Sequence, residues 1–357
     1  MHAAQPGWHI AWHGTAFVQY ARTFETRGTY QFGSVNRVMV QAGGPAAGGV
    51  VRFDFMGSAE PLTLTKRGVP QLLQASFHVD GETITDRAHP SPWIMELAGS
   101  YERAWGSDVA VSLYAAAIGE PALGPPVYLH RASAAANPVV PLGHHLQDDT
   151  HSSYGVVSAG VRWQSLHVEA SAFNERQPEN SNTVFYYDGA RLDAYAGRAT
   201  IAAGAGWSVF GSYGYMPAMT AGHSHAAQHR IGAGAIRTSP AWSFSAVYGA
   251  NDPVGSDRPR RALLFEAEHH SFGGGVLFGR AEFVQRTAEE LALVGSINAV
   301  QDVGAVQLGY GWNVLARGRV TTRLGAHATL DAVTPQLEPF YGTRTPLALG
   351  VHAQVSW

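Results

Sequence analysis

The segment LALGVHAQVSW at 347–357 alternates between apolar and small or polar residues. Leucine, valine, alanine and the terminal Trp357 share one parity, whereas Gly350, His352 and Gln354 share the other. A period of two residues predicts a β-strand with one apolar face. The same alternation occurs at 51–56, 166–173, 280–283 and 320–328. The chain is therefore predicted to consist largely of strands.

About sixteen such segments of roughly ten residues follow one another, and this is the length of a tilted strand that crosses a bilayer. Tight turns are predicted near 43–48, 105–108, 163–165, 204–206, 239–240, 272–274 and 313–318. Longer loops alternate with them near 22–32, 58–92, 119–151, 175–190, 217–228, 251–260, 287–297 and 331–345. Short turns on one side and long loops on the other are typical of outer-membrane barrels.

The tryptophans support the same interpretation, because most of them lie at a chain end or beside a predicted short turn. These are Trp8, Trp105, Trp163, Trp207, Trp242, Trp312 and Trp357. In a barrel they would form a ring at one rim, where indole prefers the interface between membrane and water. The alternative is a large soluble β-sandwich or propeller. That alternative lacks the charged outer face of a solvated sheet and the repeat of a propeller.

We therefore predict an all-β fold, a transmembrane antiparallel β-barrel of about 16 strands (14–18, an even number), with long extracellular loops and short periplasmic turns. Residues 1–357 form a single domain in this prediction. The first residues, MHAAQPGWHIAWHG, lack the basic and apolar stretches of a signal peptide. We accordingly expect a mature sequence that is located in the bacterial outer membrane.

Composition excludes several other classes of function. The formal net charge is −3, charged residues make up 14%, and no basic run suggests nucleic-acid binding. Cysteine is absent, which excludes disulfides, thiolate metal ligands and a cysteine nucleophile. The expected partners are outer-membrane lipids and small hydrophilic solutes or metal ions, and a homo-oligomer is compatible with the sequence.

If the apolar parity faces lipid, the opposite parity faces the lumen. The predicted pore-lining residues are His9, His13, Arg37, Arg52, Asp54, Glu96, His167, Glu169, Glu266, Glu268, Arg280, Glu282, Arg319, Arg323 and His327. Opposed charges of this kind filter solutes in a channel. The alternative is that they pair across the lumen and close it. A barrel of sixteen strands is too wide to be filled by side chains alone, so an aqueous channel is expected unless a loop enters.

The loops 58–92 and 119–151 are the candidates for entering the lumen. The second contains five prolines between Pro121 and Pro141, which favour a stiff and defined path. A long ordered loop after the fifth strand is similar to the loop that narrows the lumen of a porin.

The same region resembles an uncharacterised group of outer-membrane barrel proteins from Gram-negative bacteria. The matching elements are Gly119–Pro125, His130–Arg131, Asn137–Pro138, Pro141–His145, and Asp149–His151 with Gly155–Val157. Upstream, Asp86–Leu97 matches a DRxHPHDxxMEL pattern, except that Ser91 and Pro92 replace its second His and its Asp. Ala172–Asn180 is similar to an FNGREPDE element. This resemblance implies fold and location, and it implies no activity.

The stretch PLGHHLQDDTH at 141–151 is rich in metal-binding residue types. Copper or zinc requires three or four converging nitrogen or oxygen ligands. The candidate ligands are His89, His130, His144, His145, Asp149 and His151. Two other interpretations stay open, namely hydrogen bonds that hold the loop in place and a pH gate built on imidazoles.

A nucleophile elbow, a phosphate-binding loop and a dinucleotide fingerprint are all missing from the sequence. An outer-membrane hydrolase with a Ser–His pair is the third and weakest alternative, and we expect no catalytic residues. The function predicted from the sequence is a porin-like channel for small hydrophilic solutes that is constricted by the loop 119–151. The alternative is a metal-binding barrel for copper or zinc, and no other cofactor is expected.

Overall fold

The alternating segments form one closed antiparallel barrel in the computed structural model, with sixteen strands among the described residues. The structure describes residues 7–79, 81–174, 176, 191–218, 226–256, 258–271, 274–293 and 300–357. The predicted fold class and strand number are confirmed.

The sixteen strands of the barrel follow each other around the wall in chain order. They are β1 (His9–Thr23), β2 (Tyr30–Ala46), β3 (Gly49–Gly57), β8 (Ile94–Trp105), β9 (Val109–Gly119), β10 (Ser153–Trp163), β11 (Leu166–Asn174), β12 (Ala194–Gly204), β13 (Trp207–Met216), β14 (Gln228–Thr238), β15 (Trp242–Pro253), β16 (Arg260–Ser271), β17 (Gly275–Arg286), β18 (Gln301–Arg317), β19 (Val320–Ala332) and β20 (Leu347–Ser356). The barrel closes where β1 pairs with β20, with Thr15 opposite Ser356.

The remaining described elements are short and lie in loops. After β3 come two small sheets, β4 (Val69–Pro70) with β7 (Arg87–Ala88) and β5 (Phe77–Val79) with β6 (Glu82–Ile84). The helices are α1 (Glu60–Thr63), α2 (His144–Gln147) and α3 (Glu338–Tyr341), and the 3-10 turns are Tyr128–His130, Ala132–Ala134 and Asp149–Ser152. None of the helices in the described part of the chain has the length and apolar character needed to cross a bilayer.

The turns and loops alternate around the barrel as the sequence predicts. Ala47 and Gly48 both have positive φ (49° and 76°), which is the conformation of a tight hairpin turn between two twisted strands. One turn was predicted wrongly. A bulge between Asn313 and Leu315 allows β18 to stay paired with β19 as far as Arg317. The turn consequently lies at 318–319.

The two faces of the wall differ as the period-two pattern requires. The outward side chains are apolar yet exposed, for example Ile10, Phe32, Phe265 and Leu308, and such a continuous apolar surface indicates contact with lipid. The tryptophans beside the short turns lie at one rim, and Trp8, Trp105, Trp163, Trp242 and Trp312 are about half exposed or more. The other face carries most of the buried residues and surrounds the lumen.

Candidate functional site in the barrel lumen

Residues 120–152, named the inner loop here, connect β9 to β10 and bond to wall strands far apart around the barrel. Backbone N–H groups of Ala122 and Gly124 donate to hydroxyls of β11 and β13, at 2.8 and 2.9 Å. The side-chain amide of Asn137 donates to Gln307 of β18 at 2.6 Å. On β20, Gln354 donates to the carbonyl of Ala135 at 2.9 Å. The inner loop therefore extends across the lumen from β11 to β20.

A buried chain of charges holds the middle of the inner loop against β16 and β17. Arg131 donates to Glu266 at 2.7 Å and to Asp148 at 2.8 Å. Arg280 of β17 donates to the second oxygen of Glu266 at 3.1 Å. His144 of α2 is hydrogen-bonded to the other oxygen of Asp148. All five side chains are 3% exposed or less, so water does not screen the ion pairs and they fix the position of the loop.

The Asp148 carboxyl shows the electrostatic effect of this arrangement. Burial alone raises its pKa, but the His144 imidazole and the Arg131 guanidinium outweigh burial and hold the pKa below its ordinary value. Asp148 also accepts the backbone N–H of Tyr128 at 3.0 Å. An ionised Asp148 thus connects both ends of the inner loop to the charged wall.

Residues 58–93, named the second loop here, pack against the inner loop. Gln71 and Gln74 donate to the carbonyls of Val140 and Pro141, at 2.8 and 3.1 Å. Leu72, Leu73, Leu142 and Leu146 form part of one apolar cluster, together with Ala262, Val284, Leu291, Val303 and Leu337. This cluster joins the two loops to the wall at β16, β17 and β18.

Glu60 begins α1 in the second loop and is almost completely buried. Its two oxygens accept the backbone N–H groups of Asn36 and Ser91, at 3.2 and 2.6 Å. Burial raises the pKa of its carboxyl to about 7, and the two hydrogen bonds and the charge of Arg37 only partly oppose this increase.

The wall opposite β16 and β17 stays in contact with water. The side chains of Arg52, Glu102 and Arg162 are 58%, 51% and 47% exposed, and Arg162 pairs with Glu102 across β9. Further around the barrel, Arg198 donates to Glu169 at 3.1 Å and also to the Gly124 carbonyl of the inner loop at 3.3 Å. Charged groups of both signs therefore line this side.

The structure locates fourteen of the fifteen predicted pore-lining residues on barrel strands. They are His9, His13, Arg37, Arg52, Asp54, Glu96, His167, Glu169, Glu266, Glu268, Arg280, Glu282, Arg323 and His327. Arg319 is the exception, because it lies in the turn between β18 and β19; its role at the pore stays a prediction. The inner loop covers Glu266, Glu268, Arg280 and Glu282, whose burial could not be read from parity.

The structure brings four of the six predicted metal ligands together. Ring centroids are 5.3 Å apart for His144 and His145, 5.1 Å for His144 and His151, and 5.9 Å for His89 and His145. His130 has an exposed position in the turn Tyr128–His130, within reach of the charge of His151.

The Asp149 side chain is outside the described part of the structure, as are residues 175 and 177–180 of the AFNERQPEN element. Within the described residues, no group of three or more His, Asp and Glu side chains is arranged to hold a metal ion.

Sequence reasoning missed several residues that the structure makes central. Arg131 and Asp148 organise the buried charges, and Glu102 with Arg162 marks the solvated wall. The sequence contains a feature that could have pointed to each pair. Arg131 stands in the His130–Arg131 element, and Glu102 and Arg162 fall on the lumen parity of their strands.

No protein-family model matches the chain, and no curated protein is similar to it in sequence. Solved structures do match over almost the whole length. An anion-selective porin from Comamonas acidovorans has a TM-score of 0.57 at 11% identity, covering 98% of this chain and 100% of the porin. OmpF of Salmonella typhi, in complex with daunomycin, has a TM-score of 0.57 at 10% identity, and 97% of each chain is covered.

A loop-deletion mutant of OmpT, an outer membrane protein of Vibrio cholerae, has a TM-score of 0.57 at 11% identity and covers 98% and 100% of the two chains. Identities this low establish the fold and nothing finer. The chain has the sixteen-stranded barrel fold of these outer-membrane proteins.

Proposed function

We propose that the protein is a porin-like channel of the bacterial outer membrane that passes small hydrophilic solutes and is narrowed by the inner loop. Two features support this proposal. The barrel has an apolar outer surface with a ring of tryptophans at one rim, which suits a bilayer. Its fold is also that of proteins whose own names include porins.

The observation that carries the proposal is the attachment of the middle of the inner loop to one wall. Arg131, Ser133 and Asn137 bond to β15, β16 and β18. On the opposite wall, Arg52 and Arg162 remain exposed. A loop whose middle part is fixed to one wall narrows the lumen and leaves an aqueous path along the other wall.

Charges of both signs on the solvated wall suit a solute filter. Exposed Arg52 and Arg162 stand near Asp54 and Glu102, respectively, so positive and negative groups alternate around this wall. A lumen of mixed charge favours small polar solutes over large apolar ones, and the desolvation of ions limits their passage.

Single-channel conductance in a planar bilayer tests the proposal. The refolded wild-type barrel should show steady open steps in KCl. A variant in which a short Gly–Ser linker replaces residues 125–148 should show larger steps, because the linker cannot reach β16. A silent wild-type barrel would contradict the channel, and equal step sizes would contradict the constriction.

We propose metal binding by the histidine cluster as the second candidate function. The observation that favours it is the contact of the His89, His144, His145 and His151 rings. Hydrogen bonds from Nδ1 orient imidazoles for metal binding, and His144 and His151 have Nδ1 partners at the Asp148 carboxylate and the Asp148 carbonyl. The rings must move closer to share one ion.

Titration calorimetry with Cu²⁺ and Zn²⁺ tests this second function. The double variant H145A/H151A should lose stoichiometric binding, whereas H229A, on β14, should retain it. Binding that persists in the double variant would overturn the assignment. Homo-oligomerisation stays a prediction from the sequence.

A further inference from the structure

Four polar side chains on adjacent strands are buried with hydrogen-bonding atoms unused. They are Gln19 of β1, Gln307 of β18, His327 of β19 and His352 of β20, each at most 8% exposed. No described group is hydrogen-bonded to either amide atom of Gln19, to the Nε2 of Gln307, or to the Nδ1 of either histidine. Buried polar groups are nearly always satisfied, so this concentration indicates that something else binds there.

The backbone around the two histidines is shaped to hold their rings against the wall. A Cβ atom at Gly325 would stand 2.4 Å from His352 Nε2, and one at Gly350 would stand 2.3 Å from His327 Cε1. Only glycine therefore permits the imidazoles to lie this close to the neighbouring strands. The ring centroids are 5.9 Å apart, and Phe17 packs edge-on against His352.

A cavity adjoins these groups on the side of the lumen. Gln19, Gln307 and His327 line its wall side, while Leu72 and Val139 line it from the two loops. The volume available to water-sized molecules is about 40 Å³. Since one water needs about 10–15 Å³ by this measure, the cavity holds the equivalent of about three waters, which is close to the size of glycerol.

Two of the charged groups at the cavity are bound by other groups of the protein. Arg280 donates to Glu266 and to the carbonyl of Val139, and Glu282 accepts the backbone N–H of Gly143. Arg22 and Asp331, which have opposite charges, also line the cavity. The groups left unused are neutral amides and imidazoles, which offer donors and acceptors together. This combination matches hydroxyl groups, which also donate and accept.

We propose that this cavity is a binding site for a small uncharged polyol of about the size of glycerol, which enters it from the lumen. The proposal rests on the channel function and makes its solute class more specific. Gln19, Gln307 and His327 bind the hydroxyls, and the side chains of Leu72 and Ala305 border the carbon side.

Glycerol permeation into proteoliposomes provides the test. The permeation rate is measured by stopped-flow swelling and is divided by the KCl conductance of the same preparation. The variants are Q19L and the double variant Q19L/H327L. Neither removes an acceptor or donor of the inner loop. The matched control is Q228L, because Gln228 is equally buried in β14 but does not line the cavity.

Wild-type and Q228L permeation should saturate with glycerol concentration. In the double variant the half-saturating concentration should increase at least fivefold, or saturation should vanish. If the barrel conducts but glycerol permeation increases linearly with concentration and equally in all variants, the binding site is overturned and the channel function stands. The unused groups then hold ordered water.

A wild-type barrel without conductance would overturn the channel instead. The site is then tested directly by ligand-observed NMR with glycerol on the detergent-solubilised protein. Binding that is lost in the double variant and retained in Q228L supports the site. Absence of binding in the wild type overturns it.

Discussion

Two parts of the lumen wall contain the same residue types in very different surroundings. On β16 and β17, Glu266 and Arg280 are at most 2% exposed beneath the inner loop. On β8 and β10, Glu102 and Arg162 form a similar pair that is about half exposed. All four lie on the lumen face of their strands. The difference shows that strand parity decides which face a residue takes, and that the inner loop decides whether water reaches it.

The largest expected effect comes from removing the charge that joins the inner loop to the covered wall. Arg131→Met removes the guanidinium that Glu266 and Asp148 share, and breaking a buried ion pair typically costs about 3–5 kcal/mol. The loop should leave the wall, and the single-channel conductance should increase several-fold. Arg162→Met on the open wall is the control. Equal conductance in the two variants would remove the distinction between the walls.

A smaller change tests how closely the loop packs against the wall. A Cβ atom at Gly249 of β15 would stand 2.1 Å from the carbonyl oxygen of Leu146 in the inner loop. Gly249→Ala should therefore destabilise loop packing by about 1–3 kcal/mol, as overpacking usually does, and should increase conductance. Gly211→Ala is the matched control because nothing lies within 4 Å of its Cβ position. Wild-type conductance in Gly249→Ala would mean that the loop is not seated there.

The second loop should respond to pH through Glu60. Because the pKa of this buried carboxyl is raised to about 7, its contribution to stability is complete below the unfolded pKa near 4.5 and is lost as pH increases through about 7. Hydrogen exchange of residues 58–93 should therefore increase from pH 5 to pH 8 more in the wild type than in Glu60→Gln at matched pH. A constant ratio between the two proteins would contradict the raised pKa.

The smallest expected change in stability is at the exposed pair. Arg162→Gln should alter the free energy of unfolding by less than about 1 kcal/mol, because water screens Arg162 and Glu102. Its functional effect should be measurable, since removal of a positive charge from the open wall shifts the reversal potential in a KCl gradient toward cation selectivity. An unchanged reversal potential would show that the ion path avoids this wall.

The barrel itself was predictable because its signals are local. The alternation at 347–357 corresponds to β20, and the tryptophans identify the rim with the short turns. The turn at 313–318 failed because a bulge keeps β18 paired, and nothing in a period-two pattern reveals a bulge in advance.

The site was predictable only in part because its contacts join distant residues. Arg131 meets Glu266 from 135 positions away, and Gln19 faces His352 only after the barrel closes. The His-rich stretch was recognised as a cluster, and its three histidines do meet, together with His89 of the second loop. Its relation to Arg131 depends on how the inner loop crosses the lumen, and residue spacing contains no information about that path.

The central claim is that the inner loop rests on β15 and β16 while the channel conducts. Ser133 and Ser245 hydroxyls are 2.6 Å apart, and the chain has no cysteine, so the double variant S133C/S245C allows a disulfide to be formed without background. The most direct measurement is its single-channel conductance before and after reduction, with each single variant as control. We predict near-complete disulfide formation and oxidised conductance within about twofold of wild type. Thiols that stay free under oxidant, or a channel that the disulfide closes, would contradict the account.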